Sequence, residues 1–294
     1  MPELPEVETI VTDLKILEKS KISDFKVVNE KTIRQRPFLN LLEKEFRKRI
    51  VGKRITKVSR RAKNIVFEVD RYYLVFHLKM TGQLVLKKCA SKGCKIITGG
   101  HPIVGQGNIL PNKYTRGILD FDNGSVLYFN DVRRFGWARL MDKTEYLAFS
   151  DLYGLEPLSK EFTSKYLKNF FDKRKKTTIK QAIMDQKYLV GVGNIYADES
   201  LFLAGIRPAR KVESLSDKEI EKLHKSIIKT LKQAIKYRGT SFNDYLDAQG
   251  AKGNFLQHLK VYGRAGKECR KCGGVIKKGK IGGRGTHWCD NCQL

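Results

Sequence analysis

The sequence is short of acid. Its 31 aspartates and glutamates face 58 lysines and arginines, a formal net charge of +27 at pH 7. A field of that size requires a polyanionic partner, either nucleic acid or an anionic membrane surface. Long apolar stretches are missing too. No run reaches the roughly 18 residues that cross a bilayer, and acidic residues at the N-terminus exclude a signal peptide. Internal repeats and low-complexity tails are absent. Cysteines number six, and four of them fall as Cys269-x2-Cys272 and Cys289-x2-Cys292. Without an export signal that pattern excludes a secreted disulfide framework and predicts reduced thiols in a cytoplasmic compartment. What is present is an ordinary hydrophobic fraction, 41% of 294 residues. That length accommodates two domains with proper cores and a small appendage. The basic residues are spread along the whole chain, which favours a folded surface lying along nucleic acid over a basic tail or a membrane-bound helix.

The chain starts MPELPEVET. Removal of Met1 leaves Pro2 with a free secondary amine, flanked by Glu3 and Glu6. An amine beside a carboxylate can attack an electrophilic carbon and form an iminium while the acid moves protons. The same residues also make an ordinary chain start, with Pro2 setting φ ahead of a helix. Val7, Ile10, Val11, Leu14 and Leu17 recur at spacings of three and four, which predicts one amphipathic helix over residues 6–19. Over residues 22–140 the pattern turns to short alternating or apolar runs: ITKVS, NIVFEV, YLVFHL, QLVL, GILDF, SVLYFN and WARL. Such spacing predicts a β-sandwich or barrel, with one helix over residues 41–50 inside it. Residues 87–111, polar and glycine-rich, are predicted to be a long hairpin loop or insertion. Beyond a hinge, helices are predicted over residues 164–171, 177–185, 194–203 and 217–237, the last N-capped by Ser216.

The C-terminal cysteines carry the sharpest local signal. Two Cys-x2-Cys knuckles, with residues 273–288 between them, place Cys269, Cys272, Cys289 and Cys292 around one Zn2+ as a β-hairpin ribbon does. Four thiolates leave no open coordination position, so this metal is structural, replacing a core that so short a segment cannot build. A tip of Gly282-Gly283-Arg284-Gly285 projects one guanidinium, the shape of a phosphate fork, or simply a solvated tip residue. In LVGVGNIYADESL (189–201), Asn194 stands where a helix begins, as its N-cap. The free amides of that helix N-terminus suit a phosphate. Cys89-x4-Cys94, with His101 nearby, reads as a pair of reduced loop thiols rather than a second metal or redox site.

Seven stretches in order resemble the bacterial formamidopyrimidine-DNA glycosylase (MutM/Fpg) family. They are MPELPEVET (1–9), RRAKNIVFEV (60–69), HLKMTGQL (77–84), FNDVRRFG (129–136), DQKYLVGVGNIYADESLFLAGIRP (185–208), VYGRAGKEC (261–269) and GGRGTHWCDNCQ (282–293). The resemblance leaves out only the 87–111 region. It implies an α+β multidomain fold. A β-sandwich domain with flanking helices spans 1–150, a hinge 151–157, a helix–two-turn–helix domain 158–262 and a zinc ribbon 263–294. It implies a monomeric bifunctional DNA glycosylase and AP lyase of the bacterial cytoplasm. Such an enzyme excises 8-oxoguanine and formamidopyrimidines from damaged double-stranded DNA in base-excision repair, and it carries one structural Zn2+.

Roles follow residue by residue. Pro2 matches the nucleophile that displaces the base at C1′, and Glu3 the acid that handles the proton, with Glu6 a supporting acid. Lys63, otherwise a solvated lysine in a basic run, matches a lysine that contacts phosphate at the lesion. Asn194 and Arg284 match a phosphate-clamping pair, and Arg284 belongs to the catalytic set. Met80, Arg133 and Phe135 match a trio that fills the hole left by the extruded nucleotide, although Met80 and Phe135 alone read as core residues. Tyr262 falls in a DNA-binding motif, and residues 239–255 resemble a loop that caps the flipped purine. Two alternatives stand beside this reading. One is an endonuclease VIII-like enzyme for oxidised pyrimidines, which shares the Pro-Glu start but typically has Gly where this chain has Leu4. The other is a non-catalytic zinc-ribbon protein that only binds nucleic acid.

Overall fold

The structure, a computed structural model, describes residues 1–28, 43–90, 93–100, 109–240 and 254–294. The chain divides into two compact units. One holds Met1–Pro2, Glu6–Asp151 and Arg238–Asn254, and the other Glu3–Pro5, Leu152–Tyr237 and Phe255–Leu294.

Helix α1 (Leu4–Leu14), which belongs to the first unit from Glu6 onward, runs into a 3-10 turn at Lys15–Leu17. Nine strands follow among the described residues: β1 Ile22–Val27, β2 Ile55–Arg61, β3 Asn64–Val69, β4 Tyr72–His77, β5 Gly82–Ala90, β6 Gly93–Gly100, β7 Thr115–Phe121, β8 Ser125–Asp131 and β9 Trp137–Met141. They form two antiparallel sheets, β1-β7-β8-β5-β6 and β2-β3-β4-β9. Helices α2 (Glu43–Ile50) and α3 (Lys143–Asp151) belong to the same unit. Side chains two apart on a strand share a face, and the buried ones follow that rule: Ile65, Phe67 and Val69 on β3, Leu84 and Leu86 on β5, Leu127 and Phe129 on β8. With Val7, Ile10, Val11 and Leu14 of α1 they make one core, each contributing about 1.5–3 kcal/mol. This is the expected β-sandwich. All seven apolar runs read from the sequence lie on its strands.

The stretch from residue 87 onward is a correction. It is not a loop up to residue 100 but continues β5 and returns as β6, paired from Gln83↔Gly100 to Ala90↔Gly93. An edge strand is held by its backbone ladder and tolerates lysine and glycine, so it shows no apolar alternation. A second correction concerns Cys94, which is disulfide-bonded and not a reduced thiol. The register of the hairpin sets the Cys89 and Cys94 positions opposite each other, which spacing along the chain does not reveal. His101, and most of the 239–255 stretch read as a capping loop, lie outside the described residues.

The second unit is helical. Helix α4 spans Ser164–Asp172, α5 Ile179–Ile183, α6 Asn194–Ala204 and α7 Asp217–Lys236. Helix α5 is shorter than the sequence suggests, beginning where the Thr178 side chain accepts the amide of Gln181. On α7, Ile220, Leu223, Ile227, Leu231 and Ala234 face a core shared with Leu167 and Phe170 of α4 and Tyr196 and Leu201 of α6. Strands β10 (Ile276–Ile281) and β11 (Arg284–Cys289) form the terminal hairpin. No described helix is long and apolar enough to cross a membrane.

Ser216 does cap α7, and reciprocally: its hydroxyl accepts the Glu219 amide while the Glu219 carboxylate accepts the Ser216 amide at 2.8 Å. Ser216→Ala should therefore lower the free energy of unfolding by about 1 kcal/mol, with Ser216→Asp close to wild type, as read from urea titrations by circular dichroism.

Candidate active site

Glu3 is buried, and its carboxylate closes the open end of α6. One oxygen accepts the Ile195 amide at 3.0 Å, the other those of Gly193 at 2.9 Å and Tyr196 at 3.4 Å. The amides at a helix start have no partner within the helix and carry its positive dipole end, which an acid satisfies. Leu4 adds a backbone bond from its amide to the Gly191 carbonyl, 3.0 Å long. The glycines of LVGVGN make room for this. A Cβ on Gly193 would stand 2.3 Å from Glu3 Cδ, and one on Gly191, at φ +80°, 2.6 Å from Leu4 Cβ. Gln186 braces the same turn, accepting from the Gly191 amide and donating to the Val192 carbonyl.

This corrects two expectations. Asn194 is the first residue of the helix, not its N-cap, a position that Gly193 holds. The amides of residues 193, 195 and 196 are occupied by Glu3 and are not free for a phosphate. Asn194 instead donates its side-chain amide to the Gly285 carbonyl at 2.9 Å and lies 3.4 Å from the Tyr262 hydroxyl. Burial pushes the Tyr262 phenol up, so it stays protonated.

One turn further along α6, Asp198 is fully buried and pairs with buried Lys180 of α5 at 2.7 Å. Burial lowers the Lys180 pKa, and the Asp198 charge opposes the shift. The same ammonium donates to the Gly285 carbonyl and the Thr286 hydroxyl, while Asp198 accepts the His287 amide. Strand β11 is thus bolted to two helices beside Arg284, which remains exposed. Arg284 is not at the hairpin tip. The turn is Gly282-Gly283, both with positive φ, the glycine pair that a two-residue turn requires, and Arg284 opens the strand. Glu199 works similarly, accepting the amides of Lys260, Val261 and Tyr262; burial raises its pKa and the amides oppose this. Lys180, Asp198 and Glu199 were not singled out from the sequence. Charged residues inside an otherwise apolar helical pattern were the available signal.

The first unit presents its own group. The β4–β5 and β8–β9 connections both pass from one sheet to the other. They lie side by side, because β4 pairs with β9 at His77↔Trp137 and β5 with β8 at Gly82↔Asp131. Met80 sits on one corner; Arg133 and Phe135 sit on the other. Met80 and Phe135 are 42% and 44% exposed, so neither is a core residue. The Arg133 guanidinium lies 4.6 Å from the Phe135 ring centre, within cation–π range. Asp131 ties the corners together. Its carboxylate accepts the Thr81 hydroxyl at 2.5 Å, the Gly136 amide at 2.5 Å and the Arg133 amide at 3.2 Å. Asp131 also escaped the sequence reading, although an aspartate opening a turn is a familiar bracing residue.

Lys63 is buried at the two-residue turn between β2 and β3, after Ala62 at φ +55°. Arg60 braces that turn through Glu8 at 2.7 Å and the Ala62 carbonyl at 2.9 Å. His77, also buried, accepts the Lys79 amide on Nδ1. Burial first, then the Lys79 and Lys63 charges, lower its pKa to about 3, so the ring is neutral. Glu6 is buried and accepts from both the amide and hydroxyl of Thr240.

Cys269, Cys272, Cys289 and Cys292 bring their sulfurs within 4.8 Å of one another. The 269–292 and 272–289 pairs are 3.9 and 3.5 Å apart. A tetrahedron with Zn–S bonds of about 2.3 Å has edges of about 3.8 Å, so the four thiols fit one structural zinc. Gln293, fully buried, links this site to the end of α6 by accepting the Cys289 amide and donating to the Ile206 carbonyl.

Comparison with known proteins agrees along the whole chain. Residues 1–138 match the formamidopyrimidine-DNA glycosylase N-terminal domain, 153–245 the H2TH domain of the same enzymes, and 266–294 the zinc finger found in FPG and IleRS. A formamidopyrimidine-DNA glycosylase from Syntrophomonas wolfei is 38% identical over 294 residues, covering all of both chains. Two Lactococcus lactis Fpg structures, each 32% identical and covering all of both chains, superpose well. One is a variant bound to Fapy-dG containing DNA (TM-score 0.84), the other the wild type with oxidised-pyrimidine containing DNA (TM-score 0.83).

Two outcomes follow for the first unit. Asp131→Ala leaves the Gly136 and Arg133 amides without their acceptor and should cost about 1–3 kcal/mol of stability, measured by denaturant unfolding, while Asp131→Asn loses less. His77 has a folded pKa far below its unfolded value of about 6.5. Its contribution is therefore complete above pH 6.5 and is lost as pH falls toward 3. The wild type should lose stability across that window more steeply than His77→Gln; identical profiles would show that the ring is not buried neutral.

Proposed function

The chain belongs to the formamidopyrimidine-DNA glycosylase family, and on that premise we propose that it excises oxidised purines from duplex DNA and cuts the strand through an iminium on its own proline. One observation carries the reading: buried Glu3, one peptide bond from Pro2, is locked onto the start of the helix whose first residue is Asn194. Capping that helix therefore also holds an acid one residue from the terminal amine, where proton transfer requires it.

With Met1 removed, the Pro2 nitrogen attacks C1′ of the extruded nucleotide, the base departs with the bonding electrons, and the amine proton passes to Glu3. Glu3 returns that proton to the sugar ring oxygen as the ring opens to the iminium. The iminium acidifies C2′–H, so elimination expels the 3′-phosphate and then the 5′-phosphate. Lys63, Asn194, Arg284 and Tyr262 hold the backbone phosphates, contacts that position the duplex and read no sequence. Met80, Arg133 and Phe135 occupy the vacated stack, where an apolar wedge offsets the few kcal/mol of unstacking. Glu6 supports the chain through Thr240. The purine preference rests on Leu4 and on that filling trio. The pyrimidine reading stays open because the Lactococcus lactis Fpg has been crystallised with oxidised-pyrimidine containing DNA.

Borohydride trapping tests the reading. Protein lacking Met1 should form a covalent adduct with duplex carrying 8-oxoguanine opposite cytosine, and protein with a blocked N-terminal amine should form none. Glu3→Gln should slow excision about 10²–10⁴-fold while retaining binding. An adduct only with oxidised thymine moves the substrate to pyrimidines; tight binding without any adduct makes the protein a non-catalytic binder.

A further inference from the structure

Helix α7 carries a second, unassigned feature. Lys218, Lys222, Lys225, Lys229, Lys232 and Lys236 recur at alternating spacings of four and three. At 100° per residue they fall within an arc of about 80°. All six are exposed. That arc lies opposite the face that buries Leu223, Ile227, Leu231 and Ala234, and every residue falling within it is a lysine. Among the described residues only Lys225 has an acidic partner in contact, Glu221 at 2.6 Å.

Like charges at these spacings oppose helix formation, so five successive lysine neighbours work against the fold of α7. A solvated face needs charge of either sign, not one sign in line. The ridge is about 27 Å long, at 1.5 Å per residue. A phosphate strand winds around the duplex axis, so a straight ridge of this length meets the phosphates that face it on the near side of the duplex. None of the six lysines belongs to the residues assigned to the lesion.

We propose that the outward ridge of α7 is a second docking surface for the phosphate backbone of duplex DNA. It takes undamaged DNA, by charge alone, through up to six ammonium–phosphate contacts. The choice of duplex DNA as occupant rests on the function proposed above.

The test is equilibrium binding of the full-length protein to undamaged duplex over a range of salt concentrations. The triple variant Lys222→Gln, Lys229→Gln, Lys232→Gln keeps helix-forming side chains and leaves the proposed catalytic residues alone. Its slope of log K against log salt should be shallower by about 2.7, about 0.9 per lost contact. A control triple of equal charge, Lys44→Gln, Lys143→Gln, Lys160→Gln, on two other helices and a turn, should change the slope far less. Excision from a short lesion duplex should remain at wild-type rate in the ridge variant. Equal effects of the two triples, or an unchanged slope in the ridge variant, overturn the proposal. Loss of binding to anionic phospholipid vesicles with DNA binding intact also overturns it, in favour of a membrane surface. Undamaged-DNA binding needs no chemistry. A protein that excises nothing yet shows the slope change sinks the proposed function and leaves the ridge standing.

Discussion

The contact between the Glu3 carboxylate and the first amides of α6 fixes more of this molecule than any other. A helix start with unsatisfied amides will take an anion, and here the anion is built into the chain. That choice has consequences. Gly191 and Gly193 must lack Cβ atoms, because Leu4 and Glu3 fill the space. Asn194, released from capping, can turn its side chain to the Gly285 carbonyl, which Lys180 also holds. The backbone next to Arg284 is thereby set by the same helix that sets Glu3. A phosphate approaching that helix must be met by side chains, since the amides of residues 193, 195 and 196 are taken.

Backbone strain is placed with similar economy. Among the described residues, six that are not glycine have positive φ. Three of them adjoin residues given a role: Ala62 precedes Lys63, Lys79 precedes Met80, and Arg134 lies between Arg133 and Phe135; a fourth, Arg238, lies two residues before Thr240, the partner of Glu6. Left-handed backbone at such residues costs of order 1–3 kcal/mol and persists only where the surroundings impose it. The impositions are visible: Arg60 braces the Ala62 carbonyl, Asp131 holds the amides on both sides of Arg134, and Asp13 accepts the Arg238 guanidinium at 2.7–2.8 Å. Lys19 and Asp70, the other two, have no assigned role.

Elements whose formation depends on periodic apolar burial were legible in the sequence. The sandwich strands, the face of α1, the stripe of α7 and the four zinc-binding cysteines all declare themselves through spacing. What stayed hidden depended on pairing at a distance. Strand β6 is held by its ladder, so a polar edge looked like a loop. The disulfide at Cys94 follows from a register and not from a motif. Asn194 was assigned the capping task because it is the favoured residue type at a helix start, yet the residue that performs it lies 191 positions earlier. Asp131, Lys180 and Glu199 act on backbone amides or buried partners that no local pattern specifies. Motifs thus named the side chains at the site more readily than those that hold them.

The same distinction bears on the charge. A sum of +27 counts each cation equally, but burial separates them into two kinds. Lys180 and Arg116 are buried, with pKa values lowered by desolvation. Lys180 pairs with Asp198, and Arg116 donates two bonds to the Asp131 carbonyl. Such groups shape the fold. Removing one member of a buried pair costs about 3–5 kcal/mol because it strands the other charge, yet a paired cation adds little to the outer field. Exposed lysines on one helix arc do the reverse: they weaken the helix slightly and contribute almost their whole charge to the surroundings. A strongly basic composition therefore indicates an anionic partner only through cations of the second kind, and only their alignment in the folded chain distinguishes a docking surface from a diffuse field.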